Sequence, residues 1–468
     1  MLLTRQRRRA VIAGVVTVAT AALGIGLSTQ FASAQTTLRG AADALGKDIG
    51  VAVDHNLLQN NTQYRDLVAT EFNSLTAENA MKWDFTEPQD GNYTFANGDA
   101  IVDFAQANDQ TVHGHTLVWH SQTPQWVHDL SGTALETAMN DHITTVMDHY
   151  EGDVATWDVV NEVVSDSNGA LRDSFFLRGL GEGFITTAFR TARAADPNAD
   201  LYINDYSIEN IGAKSDKVYS IAQGLKSQNL LDGVGFQSHL ILGQVPSDME
   251  ANLQRFVDLG LKVRITELDI RIQMPADGSE LHQQASDYER VVEICAELAD
   301  CSGITVWGVR DGDSWVDDTF PGQGAPLLFN DDFSKKPAYT STLNALGGST
   351  SNPTTTPATS NPPTTTPPPT GDCTARVTVV GDWGSGWQGR VNMTAGNAAL
   401  GGWELKWSWP GAQQISSAWN ADWSQSGAAV TAGDVGWNGS VAAGQSREAF
   451  GFIASGPSTA PQVTCASA

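Results

Sequence analysis

The most informative stretches of this chain are Asp158-Val159-Val160-Asn161-Glu162 and Val263-Arg264-Ile265-Thr266-Glu267-Leu268-Asp269. Each runs through β-branched apolar residues into a carboxylate, which is typical of a strand buried on both faces of a parallel sheet. Further apolar runs at 155–160, 200–203, 233–237 and 303–308 alternate with helical stretches. This alternation predicts an α/β domain of repeated βα units closed into a (β/α)8 TIM barrel.

Both stretches carry a glutamate to the carboxyl end of a strand, which is where the active site of an α/β barrel lies. Glu162 and Glu267, on different strands of one barrel, are placed to face each other across a cleft. Paired carboxyls of this kind break glycosidic bonds, one as acid and the other as nucleophile. The alternative is a pair of buried structural carboxylates. Ionised groups at strand ends are unfavourable unless they are paired or used, so we favour catalysis.

The composition narrows the possible partners and the compartment. The chain has 468 residues and a formal net charge of -26, which argues against nucleic acid or an acidic polymer as a partner. Residues 1–34 combine a run of arginines, an apolar stretch and the small residues Ala32-Ser33-Ala34, a pattern typical of a signal peptide. A retained membrane anchor is the alternative. We therefore expect a secreted, extracellular monomer that has no membrane partner.

The four cysteines of an exported chain predict two disulfides, for which three pairings exist. Chain order favours one bond in each domain, Cys295 with Cys301 and Cys373 with Cys465. Metal binding is the alternative, but the cysteines and histidines lack the spacing of a metal site. We expect no metal and no other cofactor.

Composition also divides the chain into segments. Residues 38–346 hold the predicted barrel, and residues 347–371 are a Pro/Thr/Ser-rich linker without apolar residues to bury. Residues 372–468 contain short alternating stretches between Gly and Ser turns, together with eight of the fourteen tryptophans. This last segment is predicted to be an all-β sandwich.

Five further motifs accompany the two glutamates in the barrel segment: Thr76-Ala77-Glu78-Asn79-Ala80-Met81-Lys82-Trp83, His113-Gly114-His115-Thr116-Leu117-Val118-Trp119-His120, Asn204-Asp205-Tyr206, Gly235-Phe236-Gln237-Ser238-His239-Leu240 and Thr305-Val306-Trp307-Gly308-Val309. With these motifs the segment resembles the family 10 glycoside hydrolases, the retaining endo-β-1,4-xylanases. The resemblance implies cleavage of internal bonds of xylan by double displacement.

The resemblance also implies roles for individual residues. Glu162 would be the general acid and then base, and Glu267 the nucleophile. Asn161 would bind the sugar 2-hydroxyl, while Gln237, His239 and Asp269 would surround Glu267. The expected substrate-binding residues are Glu78, Asn79, Lys82, His115, Trp119, Gln122, Trp307 and Trp315. Among them, Gln122 and Trp315 would exclude glucose by filling the volume of its hydroxymethyl group.

The C-terminal segment resembles a family 2 carbohydrate-binding module through Asp382-Trp383, Gly402-Trp403, Ser417-Ala418-Trp419-Asn420, Ser424-Gln425-Ser426-Gly427 and Gly436-Trp437-Asn438-Gly439. The resemblance implies a flat strip of Trp383, Trp419 and Trp437 that stacks on crystalline cellulose. The other five tryptophans are expected to pack within the small domain or to edge its sheet. The alternative is that all eight are core residues.

Two other functions stay open from the sequence. One is a related barrel glycosidase, an endoglucanase or mannanase, which the relative release of reducing sugar from xylan and from carboxymethyl cellulose would distinguish. The other is a non-catalytic polysaccharide-binding protein. The presence of both Glu162 and Glu267 counts against the second.

Overall fold

The structure, a computed structural model, describes residues 36–167, 169–348, 373–382, 386–436 and 438–467. The expected signal peptide at 1–34 and residues 349–371 of the expected linker lie outside the described residues. Within the described ranges, no helix has the length and apolar character needed to cross a membrane.

The N-terminal region forms a closed parallel barrel, which confirms the predicted fold class. Its strands, in chain order, are β1 Asp48–Val53, β2 Ser74–Ala77, β3 Thr111–Trp119, β4 Thr156–Asn161, β5 Asp200–Asp205, β6 Gly233–Phe236, β7 His239–Ile241, β8 Lys262–Gln273, β9 Cys301–Val306 and β10 Gln323–Gly324. Strands β1 to β6, then β8 and β9, pair in parallel around the ring, and β9 closes on β1. The short strands β7 and β10 pair with the extended end of β8.

Helices cover the outside of this barrel. They are α1 Leu38–Leu45, α2 His55–Asn60, α3 Thr62–Glu71, α4 Trp83–Thr86, α5 Ala96–Ala107, α6 Gln125–His128, α7 Gly132–His149, α8 Phe175–Leu180, α9 Gly183–Ala195, α10 Ala213–Lys226, α11 Met249–Val257, α12 Gly278–Glu297, α13 Val316–Thr319 and α14 Pro337–Ala345. A 3-10 turn spans Asp311–Asp313. The strands are buried on both faces because helices pack on one side and the barrel interior fills the other, which explains their continuous apolar runs.

The two ends of the barrel segment are joined at one buried carboxylate, Glu71. Its Oε2 accepts hydrogen bonds from the backbone N–H of Leu38 (3.0 Å) and from the hydroxyl of Tyr339 (2.8 Å). Lys335 Nζ lies 3.0 Å from Oε1. Because Leu38 begins α1 and Tyr339 lies in α14, this carboxylate ties the first and last helices together where the barrel closes.

The C-terminal region is an antiparallel β domain. Its strands are β11 Cys373–Asp382, β12 Gly386–Ala395, β13 Trp403–Ser408, β14 Gln414–Trp419, β15 Asp422–Ser426, β16 Ala429–Gly433, β17 Ser446–Ser455 and β18 Gln462–Ser467. Their order is β14-β17-β12-β11-β18-β13-β16-β15. Only two residue pairs join β11 to β18. This junction divides the domain into two halves, β14-β17-β12-β11 and β18-β13-β16-β15. Within each half, neighbouring strands share five or more residue pairs, except β13 and β18, which share four.

Aromatic residues from both halves fill the interior of this domain. Trp387 on β12 makes an edge contact with Phe452 on β17 at a ring-centroid distance of 5.3 Å. Trp407, from the other half, stacks on the same Phe452 at 5.8 Å. Trp403 and Trp409 are also buried, and Trp423 is partly buried against this core. These five tryptophans therefore take the packing role expected of them.

Both disulfides are present in the structure. Cys295 in α12 bonds to Cys301 at the start of β9, with their Cα atoms 5.3 Å apart. Cys373 and Cys465 join the first and last strands of the C-terminal domain, with their Cα atoms 5.5 Å apart. Because the second bond closes a separation of 92 residues, it constrains nearly the whole domain in the unfolded chain.

Candidate active site

The two strand-end glutamates line one cavity of about 570 Å³ at the carboxyl end of the barrel. Glu162 directly follows β4, and Glu267 lies within β8. The cavity is also lined by eleven other residues expected from the sequence: Glu78, Asn79, Lys82, His115, Trp119, Gln122, Asn161, Gln237, His239, Trp307 and Trp315. Asp269 alone among the expected barrel residues does not line the cavity; it is fully buried beside it.

The carboxylate of Glu162 accepts a hydrogen bond at each oxygen. The indole N–H of Trp119 donates to Oε2 at 2.9 Å, and the side-chain amide of Gln237 donates to Oε1 at 3.2 Å. The Glu162 side chain is 14% exposed, compared with 6% for Glu267. Glu162 is therefore the carboxyl with more access to solvent in the cleft, held in place by two donors.

The backbone of Glu162 is strained, with φ at 57°, a region that residues other than glycine rarely adopt. Its peptide is held on both sides. Its N–H donates to the carbonyl of Asn204 at 2.9 Å, and Arg172 Nε donates to its carbonyl at 2.8 Å. Arg172 also donates to the hydroxyl of Tyr206 at 2.8 Å. These bonds keep a conformation that aims the carboxyl into the cleft.

Glu267 is held as the charged form. His239 Nε2 lies 3.1 Å from its Oε2, and Asn204 Nδ2 donates to its Oε1 at 2.8 Å. Burial alone would raise the pKa of Glu267, but the hydrogen bond from His239 and the positive potential of the nearby histidines outweigh it and lower that pKa. A buried carboxylate that stays ionised in this way is suited to act as a nucleophile.

His239 stays protonated because a second carboxylate supports it. Its Nδ1 lies 2.8 Å from Asp269 Oδ2. Burial lowers the pKa of His239, but the negative charge and hydrogen bond of Asp269, together with Glu267, raise it to about 10. The protonated ring donates from both nitrogens, so it links Asp269 to Glu267 and holds the Glu267 carboxylate in one orientation.

Side-chain amides connect the two glutamates across the floor of the cleft. Asn161 Oδ1 accepts from Asn204 Nδ2 at 3.0 Å and from Gln237 Nε2 at 3.2 Å. Asn204 Nδ2 also reaches Glu267, and Gln237 Nε2 also reaches Glu162. Asn161 uses its oxygen for both contacts, and its amide nitrogen has no hydrogen-bond partner among the described residues, so it is available as a donor toward a ligand.

Gln237 contacts both glutamates. It was expected around Glu267, and its backbone carbonyl accepts from the N–H of Glu267 at 3.0 Å, while its side-chain amide donates to Glu162. Directly after Gln237, Ser238 adopts a φ of 61°. The chain turns there, and His239 pairs with Asp269 of β8.

One end of the cavity carries a cluster of polar residues around Lys82. Its Nζ donates to Gln122 Oε1 at 2.8 Å and to Asn79 Oδ1 at 3.2 Å, and it lies 4.9 Å from the ring centroid of Trp119. Gln122 Nε2 in turn donates to Asn79 Oδ1 at 3.0 Å. These two hydrogen bonds fix both ends of the Gln122 amide. Burial also lowers the pKa of Lys82 and raises that of Glu78.

Aromatic rings form the adjacent wall. The indole N–H of Trp315 donates to Asp269 Oδ2 at 2.8 Å, and its ring meets His239 edge-on at 4.8 Å. Trp307 meets the ring of His115 at 5.3 Å, and His115 Nδ1 lies 2.9 Å from Asp158. Trp315 is thus held by the same carboxylate that holds His239, which fixes its ring relative to the nucleophile.

The structure places in the site several residues to which the sequence motifs assign no role. Two of them contact the glutamates directly: Asn204 donates a hydrogen bond to the Glu267 carboxylate, and Arg172 donates one to the backbone carbonyl of Glu162. Further lining residues without an assigned role are Tyr206, Ser207, Arg271 and Phe320. Asn204 is the second-last residue of β5 and follows its apolar run, and this position is the signal that identifies it. Arg172 lies in a loop and has no such signal.

In the C-terminal domain, one of the three tryptophans expected to bind cellulose is described. Trp419 ends β14 and is half-buried. Its ring lies against the neighbouring Gly451 of β17, where an added Cβ would stand 2.1 Å from the indole. A glycine is therefore required for the ring to lie flat on the sheet. Trp383 and Trp437 lie outside the described residues.

Comparisons with known proteins agree with this geometry. Residues 37–345 match the model of glycosyl hydrolase family 10, and residues 373–467 match that of a cellulose binding domain. The chain is 44% identical over 297 residues to an endo-1,4-beta-xylanase of Agaricus bisporus, covering 63% of this chain and 89% of that protein. It is 43% identical over 320 residues to endo-1,4-beta-xylanase A of Phanerodontia chrysosporium, covering 67% and 77%.

Solved structures give the same result. Native xylanase 10B from Thermotoga maritima has a TM-score of 0.65 and 40% identity, covering 66% of this chain and 98% of that one. A glycosylated endo-beta-1,4-xylanase from Gloeophyllum trabeum has a TM-score of 0.64 and 41% identity, with the same coverage. The resemblances inferred from the sequence motifs are confirmed.

Proposed function

The chain belongs to glycosyl hydrolase family 10, and from that premise we propose that it is a secreted endo-β-1,4-xylanase that cleaves internal bonds of xylan with retention of configuration. The observation that carries the proposal is the state of Glu267, a buried carboxylate kept ionised by His239 and Asn204. The relatives found by sequence and the similar solved structures are both named as xylanases.

In the first step, Glu162 donates its proton to the glycosidic oxygen while a carboxylate oxygen of Glu267 attacks the anomeric carbon. The bond to the leaving sugar breaks and a covalent glycosyl–enzyme ester forms. In the second step, Glu162 takes a proton from water, the water oxygen attacks the anomeric carbon, and the ester bond to Glu267 breaks. Two inversions return the original β configuration.

The surrounding side chains assist these steps. The amide nitrogen of Asn161, whose oxygen already accepts two hydrogen bonds, is placed to donate to the 2-hydroxyl of the sugar, an interaction that strengthens in the transition state. His239 holds Glu267 ionised before attack and, as a double donor, keeps its orientation fixed. The chain's own residues thus supply acid, base, nucleophile and orientation.

Selection of xylose over glucose follows from rigid side chains. Gln122 is fixed by Lys82 and Asn79, and Trp315 is fixed by Asp269. A hydroxymethyl group entering the space that these side chains fill would need one of them to break its hydrogen bonds. Steric exclusion of this size discriminates by ~1–3 kcal/mol, so slow turnover of glucosides is expected.

The C-terminal domain is proposed to bind crystalline cellulose, with Trp419 as one of three stacking residues. The flat ring of Trp419 over Gly451 supports this, since sugar rings stack on exposed indole faces. Adhesion to cellulose raises the concentration of the barrel near the xylan that accompanies it.

The test is reducing-sugar release from xylan and from carboxymethyl cellulose by the full chain. We expect strong release from xylan and little from carboxymethyl cellulose. Glu267→Gln should abolish the release from xylan, whereas the matched exposed variant Glu250→Gln, which loses only a surface ion pair with Arg290, should retain it. Faster release from carboxymethyl cellulose, or full activity of Glu267→Gln, would overturn the proposal.

A further inference from the structure

Arg271 is a cation in the cleft that forms no ion pair with any of the described residues, although the charge of Asp269 acts on it from a longer distance. It lies in β8, four residues beyond Glu267, and lines the same cavity. Side chains two residues apart in a strand point to the same face, so Glu267, Asp269 and Arg271 share one side of β8. Within the described ranges, no carboxylate lies within ion-pair distance of the Arg271 guanidinium, although the chain has 53 acidic residues and 27 basic ones.

The guanidinium is held by weak contacts that leave its donors available. One terminal nitrogen lies 3.5 Å from the carbonyl of His239, at the limit of a hydrogen bond. Its central carbon lies 4.1 Å from the ring centroid of Phe320, and its Nε is buried without a partner among the described residues. A half-buried charge in this state gains from an anionic ligand, because ion pairing compensates the loss of solvent.

The rest of the molecule limits what that anion is. The net charge of -26 repels a polymer with closely spaced negative charges. Glu78, Glu162 and Glu267 add negative charge to the same cavity. A single carboxylate on an otherwise neutral sugar chain avoids this repulsion. The planar fork of Arg271 matches a carboxylate, to which it can donate two parallel hydrogen bonds.

We propose that Arg271 binds the carboxylate of a uronic-acid branch on the xylan chain, so that the cleft favours acidic xylan over neutral xylan. Four residues of strand separate Arg271 from Glu267, about 13 Å between their Cα atoms. The branch therefore belongs to a sugar away from the reacting bond. This inference rests on the proposed xylanase activity and adds a preference among its substrates.

The experiment compares three xylo-oligosaccharides of equal backbone length: unbranched, carrying one glucuronic-acid branch, and carrying the same branch with its carboxyl reduced to the alcohol. For the wild-type full chain, kcat/KM should be higher for the acidic branch than for its reduced form. Arg271→Gln should lower kcat/KM for the acidic substrate by about 10-fold, the effect of losing a hydrogen-bonded charge pair. The reduced and unbranched substrates should change little.

Two controls keep the outcome decisive. Arg290→Gln, an arginine of α12 on the surface, should leave the ratio of acidic to reduced substrate unchanged. Added sodium chloride should lower that ratio in the wild-type chain without any substitution. A ratio that is insensitive to salt, or equal losses for all three substrates in Arg271→Gln, would overturn the inference. Failure to cleave the unbranched substrate would instead overturn the proposed xylanase activity.

Discussion

Replacing His239 with asparagine tests how the structure keeps its nucleophile ionised. The substitution removes a protonated ring that donates to Glu267 at 3.1 Å and lies 2.8 Å from Asp269. Burial then dominates, so the pKa of Glu267 rises. A hydrogen bond to a charged group contributes ~1.5–3 kcal/mol. At ~1.4 kcal/mol for each pH unit, the acidic limb of kcat/KM should move up by about one to two pH units.

The assay is the pH profile of kcat/KM on an aryl xylobioside with a good leaving group, because departure of that group does not need the acid. The matched control is His149→Asn, a histidine of α7 that lies 2.6 Å from Asp99 outside the cleft. The control should keep the wild-type profile. A folded His239→Asn variant whose acidic limb does not move would refute the role given to His239.

The pH dependence of stability gives a second readout of the same pair. The pKa of His239 is raised from 6.5 to about 10, so its contribution is fully present below pH 6.5 and is lost as the pH rises through about 10. The pKa of Glu267 is lowered, so its contribution is present above its ordinary value of 4.5 and is lost as the pH falls. Thermal unfolding should show the alkaline loss in the wild-type chain and a flatter alkaline side in His239→Asn.

Three further outcomes are expected. Trp315→Ala should lower xylobioside turnover and raise the ratio of cellobioside to xylobioside turnover, by an amount within the ~1–3 kcal/mol of steric discrimination; an unchanged ratio would remove the steric explanation. Arg172→Gln should slow substrates with poor leaving groups more than those with good ones, because Arg172 acts through Glu162; equal losses would indicate a merely structural role. Trp419→Ala should weaken adsorption of the full chain to microcrystalline cellulose several-fold while its thermal unfolding stays unchanged, since one exposed stack contributes ~1 kcal/mol; unaltered adsorption would exclude Trp419 from the binding face.

The barrel could be predicted because its strands are buried on both faces. Continuous apolar runs such as 156–161 and 262–268 are what that environment requires, and a residue ending such a run must lie at the active-site end. The same logic was available for Asn204, the second-last residue of β5, yet no catalytic role was given to it. Its position alone did not reveal that its amide bonds to both Asn161 and Glu267.

Loop geometry accounts for what sequence periodicity did not predict. The side chain of Gln237 contacts Glu162, and the chain turns directly after it through a left-handed backbone at Ser238, a conformation that a serine in the sequence does not predict. Arg172 reaches the Glu162 carbonyl because the loop after β4 folds back over ten residues. Neither contact can be predicted from a repeating pattern in the sequence, because each depends on the conformation of a single turn or loop.

The indoles of the C-terminal domain differ in how their N–H groups are paired. A buried indole N–H usually has a hydrogen-bond partner. Trp403 does donate to the carbonyl of Asn438 at 3.0 Å. Trp387, Trp407 and Trp409 are buried with no partner for Nε1 among the described residues. All three rings pack against Phe452.

The configuration of the sugar azide formed by the two glutamate variants tests the assignment of nucleophile and acid most directly. With an activated aryl β-xylobioside and sodium azide, Glu267→Ala should form the α-glycosyl azide, because azide displaces the leaving group once, from the face that Glu267 occupied. Glu162→Ala should form the β-glycosyl azide, because azide attacks the covalent intermediate and inverts it a second time. Proton NMR of the anomeric centre distinguishes the two. An α product from Glu162→Ala together with a β product from Glu267→Ala would contradict the account.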